Sequence, residues 1–195
     1  MSTRATFRIH NVKCIDETGG WLAEKVGNDE IFLSGFGIDP AAQTHKVNPF
    51  EVYAHFDDGD IKRYSPPRPF VSLALDAGGE WPKAVSVGLL LAEKDWGDFG
   101  QKVDQVLAKV QEHLNQSGGV PGAGGWGVVL QPVAKYVLEK IIGVARDDVF
   151  TLKDVNLMLP SPDFTWDGNT TSPPAGVDFK GHDGHYRLTY DWVLS

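Results

Sequence analysis

Carboxylates gather in this chain at the places where apolar alternation stops. Asp16 and Glu17 follow the first alternating segment, and Asn28, Asp29 and Glu30 open the second. Glu93, Asp95 and Asp98, in EKDWGD, follow a long apolar run, and Asp147 and Asp148 stand just before another strand-like stretch. Calcium takes about six to eight oxygen ligands in flexible geometry, so carboxylates supplied by several loops suit it. Without a cation the same cluster repels itself. Two like charges about 4 Å apart cost about 1 kcal/mol in water and about 4 kcal/mol at an effective dielectric near 20. Alternation also places Glu93 and Asp95 on one side of the chain and Lys94 on the other. The candidate metal ligands are therefore Asp16, Asp29, Glu93, Asp95 and Asp148, with Asp98 and Asn28 as further oxygens. The competing reading treats the same acids as turn formers and solubilising groups.

Other chemistry is harder to find. His182 and His185, in GHDGH, have the flavour of metal ligands, but Gly181 and Gly184 make the segment a turn leading into the last strand. His10, His45, His55 and His113 are scattered. No nucleophile elbow, phosphate-binding loop, HExxH or dinucleotide fingerprint occurs, and no residue is assigned a catalytic role. Cys14 is the single cysteine, which excludes an intrachain disulfide and a cysteine zinc site. The Gly-rich segment SGGVPGAGGWG carries Val120 and Trp126, a partner-binding candidate able to touch a membrane interface or a protein groove. Its plainer reading is a connector whose Trp126 packs back on neighbouring helices.

Composition narrows the classes. The chain has 195 residues, 42% hydrophobic and 23% charged, which is globular composition and enough for one domain with an insertion. The net charge of -8 argues against a broad nucleic-acid-binding face, because phosphate contacts need clustered Lys and Arg. No run approaches the ~20 apolar residues of a membrane span. The N-terminus MSTRATFRIH has no apolar signal core, so the expectation is a cytoplasmic protein as synthesised, with signal-less export left open.

The elements that must position the acids are mostly strands. Phe7 and Ile9 alternate, then Val12 and Cys14 alternate on a shifted phase, which predicts a bulge at His10-Asn11. Residues 15–28 read as a loop and 29–37 as a strand. Phe50, Val52 and Ala54 mark a third strand, and Asp58-Gly59 a hairpin turn into Ile61–Tyr64. Pro66, Pro67 and Pro69 are expected to break the chain before a short strand Phe70–Leu75. Ala84–Ala92 is nearly all apolar, as in a strand buried on both faces. Then the period changes. Val103, Val106, Leu107, Val110 and Leu114 form one stripe of a helix, and a second helix is expected from about Pro132 to Ile142, with Gly143 as its C-cap. Strands return at Val149–Leu157 and Tyr186–Leu194, joined by a Pro- and Thr-rich connection over 160–177. The pattern predicts an all-β, eight-stranded antiparallel sandwich, one domain over 1–195, with a helical hairpin inserted at about 99–143 and folded onto the sandwich.

The opening FRIHNVKCIDETGG…GNDEIFLSG resembles that of a C2 domain, the calcium- and lipid-binding β-sandwich. Asp16 matches the family's first loop acid and Asp29 the acid opening the next strand, although Glu30-Ile31 replaces the Pro-Tyr that follows in the family. Glu93-Lys94-Asp95 matches its Asp-x-Asp with one Glu substitution, and Asp148 in RDDVF matches the closing acid. Where the family has a short loop, this chain inserts the helical hairpin. The resemblance covers roughly residues 5–98 and 146–195. It implies a C2-like fold, calcium as the cofactor, and calcium-dependent attachment to a phospholipid surface or a protein partner without catalysis. The rival expectations are a metal-dependent hydrolase using the acidic loops, and an interaction module whose acids bind nothing.

Overall fold

A computed structural model describes residues 1–17, 29–77, 79–93, 99–116, 150, 152–181 and 184–195. Among these the chain forms β1 (Arg4–Asp16), β2 (Asp29–Ile38), β3 (Thr44–Phe56), β4 (Ile61–Ala74), β5 (Lys83–Glu93), α1 (Phe99–Gln116), β6 (Lys153–Leu159), β7 (Ala175–Gly181) and β8 (Gly184–Leu194). The strands make two antiparallel four-stranded sheets, ordered β4-β1-β8-β7 and β3-β2-β5-β6. The fold is an all-β sandwich carrying a helix.

Alternation explains how the sheets meet. Phe7, Ile9, Val12 and Cys14 of β1, and Tyr186, Leu188, Trp192 and Leu194 of β8, bury one face of the first sheet against Ile31, Leu33, Val85, Val87, Leu89 and Leu91 of the second. The predicted change of phase in β1 is a register shift between Ile9 and Asn11 against both β4 and β8. It keeps Val12 and Cys14 pointing inward after the extra residue. At the open edge between β3 and β4, the Arg68 guanidinium lies 3.9 Å from the Phe50 ring centroid and covers the rim.

A second core lies outside the other sheet. β5 is buried on both sides: Val85, Val87, Leu89 and Leu91 face the first sheet, while Ala84, Leu90 and Ala92 face α1. The helix forms because Phe99, Val103, Val106, Val110 and Leu114 recur at spacings of four, three, four and four, one apolar stripe. That stripe packs on Phe36, Ile38, Leu90, Ala92 and Leu152, with Leu107 half-buried beside it. The first helix of the expected hairpin therefore lies on the sandwich. The second helix, about 132–142, and Gly143 lie outside the described residues.

Two expectations about strands are corrected. The prolines do not break the chain, because β4 runs unbroken from Ile61 to Ala74 through Pro66, Pro67 and Pro69. β4 is an edge strand paired only with β1, so one side of its backbone needs no ladder donors, and a shift of register at Arg8 and Asn11 absorbs the irregularity. The connection 160–177 likewise contains the start of a strand. Ala175–Gly181 pairs with β8 from Tyr190 to Gly184, and its weak alternation (Val177, Phe179) is completed by the longer partner. Among the described residues the strands therefore differ from the expected set: Ile61–Tyr64 and Phe70–Leu75 are parts of one strand, and Ala175–Gly181 is a strand that was not expected.

Candidate functional site

The antiparallel order brings the acidic strand ends to one end of the sandwich. β1 finishes at Asp16, opposite His185 near the start of β8. β2 begins at Asp29, opposite Phe56 at the end of β3, and Ile31 pairs with Glu93 at the end of β5. The turn from β3 to β4 ties the two sheets together here. The backbone N–H of Cys14 donates to the Asp60 carbonyl at 2.9 Å, and that of Gly59 to the Cys14 carbonyl at 3.2 Å. The Glu17 N–H donates to Asp58 Oδ1 at 2.8 Å. Beneath this end lies an aromatic floor. Tyr186 packs edge-on against Phe56, with centroids 5.4 Å apart, and against Phe150, at 5.5 Å. All three rings are fully buried. The Phe150 N–H donates to the Leu91 carbonyl at 3.0 Å, which returns the chain to the side of β5.

Of the predicted ligands, Asp16 is exposed and Glu93 half-buried, and the Asp29 backbone opens β2. Asn28, Asp95, Asp98 and Asp148 lie outside the described residues, as do Val120 and Trp126 of the Gly-rich segment. Among the described residues, no group of three or more His, Cys, Asp or Glu side chains is placed to hold a metal ion. Asp57, Asp58 and Asp60 join the acidic end and were legible only as a hairpin turn. Their types suit that turn: the Asp57 N–H donates to Asp60 Oδ2 at 3.2 Å, and the Asp58 N–H to Asp57 Oδ1 at 2.8 Å.

A second polar constellation sits on the outer face of the β4-β1-β8-β7 sheet. Arg8 and Asp191 occupy directly opposed positions of β1 and β8. The guanidinium donates from Nε to Asp191 Oδ1 at 2.9 Å and from Nη2 to Oδ2 at 2.6 Å, a bidentate pair. His10 Nε2 lies 2.9 Å from the same Oδ2, reaching it from the bulge. Asp191 is only 2% exposed. Burial pushes its carboxyl upward, but the hydrogen bonds from Arg8 and His10 outweigh that and hold it below the usual carboxylate range. The bond to Asp191 raises the Arg8 guanidinium in turn. Along the sheet, His185 Nε2 lies 3.1 Å from Asp178 Oδ1, and Arg187 lies 3.9 Å from Oδ2. His185 thus joins β7 and β8 through a side-chain hydrogen bond with Asp178, and its expected companion His182 lies outside the described residues.

Two further buried polar groups are absorbed by turns. Asp39 accepts from the N–H groups of Ala41 and Gln43 and pairs with His45 at 2.8 Å, which sets the β2–β3 turn. The Lys83 ammonium is buried and donates to the carbonyls of Ala77 and Gly79. No helix among the described residues is long and apolar enough to cross a membrane. No known family model matches the chain, and no curated protein is similar to it in sequence.

Proposed function

We propose that the chain is a non-catalytic, C2-like module that binds calcium at the acidic end of its sandwich and, once loaded, attaches to a membrane surface or a protein partner. The observation that supports this reading is the convergence of the strand ends carrying Asp16, Asp29 and Glu93 at one end, braced by the Cys14–Asp60 and Glu17–Asp58 hydrogen bonds. In this reading the loops that follow add Asn28, Asp95, Asp98 and Asp148 as oxygen ligands. Calcium would cancel the mutual repulsion of these carboxylates and lower the negative field that keeps an anionic surface away. Trp126 and Val120 would then supply the apolar anchor.

Calcium added to chelated protein, followed by thermal unfolding, tests the reading. At about 100 times its dissociation constant, a single calcium should stabilise the fold by about 2.7 kcal/mol. Asp95→Asn should abolish the shift and leave the calcium-free fold intact. A melting temperature unchanged from micromolar to millimolar calcium would overturn the proposal.

A further inference from the structure

We infer that the outer face of the β4-β1-β8-β7 sheet is a self-recognition surface, on which a second copy of this chain seats its acidic β3–β4 turn. Alternation in these strands sends the core residues inward and leaves Arg4, Arg8, Lys13, Arg63, Lys180 and Arg187 outward. Three acids of the same strands accompany them: Asp191 and Asp178, held by Arg8 and Arg187, and Asp16 at the acidic end of β1. A chain of net charge -8 has therefore concentrated cations on one face. The register adds a second observation. Lys13 stands directly opposite Arg187, both exposed, in the β1–β8 ladder. Like charges in opposed positions weaken a sheet; Asp178 answers Arg187 loosely at 3.9 Å, and an anionic partner over Lys13 relieves the rest.

The anion that fits is on the same molecule. Asp57, Asp58 and Asp60 project from the turn that leads into β4, beside Asp16 and Glu17 at the end of β1. The turn is held by its own hydrogen bonds, so its carboxylates are organised before any contact forms. A basic face and an acidic end adjoin along one sheet. Two copies related by a twofold axis and laid antiparallel place each acidic turn over the other's basic face. Such an interface satisfies both patches at once and closes at a dimer. Nucleic acid fits less well, because the acidic end would lie against the phosphates.

Sedimentation of the full chain with chelator present, so that the calcium reading has no part in the outcome, tests the inference. Dimers are expected at low salt and monomers at about 1 M salt, where the screening length is about 3 Å. Arg63→Glu with Arg187→Glu, and separately Asp57→Lys with Asp58→Lys, should each raise the dissociation constant about tenfold or more. Mixing the two reversed proteins should restore a one-to-one dimer, because each face then meets a turn of opposite sign. Asp57→Asn with Asp58→Asn retains the acceptor oxygens and should also weaken the dimer, which covers the case in which the lysines unfold the turn. Wild-type protein that stays monomeric at low salt would overturn the inference. So would a dimer indifferent to the reversals, folded reversed proteins that fail to pair when mixed, or binding of anionic vesicles through this face by a chain that remains monomeric.

Discussion

The two sheets treat their outer faces in opposite ways. The outside of β3-β2-β5-β6 is apolar and lies under α1, so Phe36, Ile38, Leu90 and Ala92 are as buried as the residues between the sheets. The outside of β4-β1-β8-β7 is polar, ordered by Arg8–Asp191–His10 and Asp178–His185, and displays exposed cations. Hydrophobic burial is roughly proportional to area and needs no direction, so one helix stripe suffices on the first face. On the second face stability depends on a few charge-assisted hydrogen bonds of fixed geometry. The first face is thus committed to the fold, and the second keeps its charged side chains at the surface.

Truncation at the covered face should show the largest effect. Phe36→Ala removes a fully buried ring and should cost about 3–5 kcal/mol in denaturant unfolding. A loss below 1 kcal/mol would mean that α1 packs loosely and that the contrast between the faces is false. Next comes the polar face. Asp191→Ala leaves Arg8 and His10 without their acceptor and should cost about 2–3 kcal/mol at neutral pH. The carboxyl sits below its unfolded value of about 3.9, so its contribution is complete above that pH and is lost as pH falls through the folded value. Asp191→Asn should therefore flatten the acid-side fall in stability, read by unfolding between about pH 5 and pH 2. Val106→Ala on the helix stripe should cost about 2 kcal/mol, a graded apolar loss with no pH dependence. Smallest is Arg187→Ala, exposed and only loosely paired to Asp178, which should change stability within about 0.5 kcal/mol while weakening salt-sensitive association.

Legibility followed the range of the interactions. The α1 stripe and the double burial of β5 are local periodicities, and both were visible in Val103–Leu114 and Ala84–Ala92. The bulge at His10-Asn11 was visible because a change of phase is itself a local signal. The run through Pro66, Pro67 and Pro69 was misleading, because nothing in those residues says that their strand lies at an edge with one side unpaired. β7 was obscured for a similar reason: its pairing comes from β8, which has the stronger pattern. At the acidic end, residue types marked Asp16, Asp29 and Glu93, but the part played by Asp57, Asp58 and Asp60 depends on a turn that bridges the sheets.

What the sequence by itself determined, then, is which residues must be hidden and with what period, since burial of apolar area is dictated by side-chain type and chain geometry. It also determined that acids end the strands. Tertiary structure alone decided which charges meet. Arg8 and Asp191 lie 183 positions apart, and their bidentate pair exists because β8 inserts beside β1 in register. The same register sets Lys13 against Arg187 and gathers the cations of four strands on one face. Coulomb and hydrogen-bond energies depend on distance and angle between groups, and only the folded sheet supplies those.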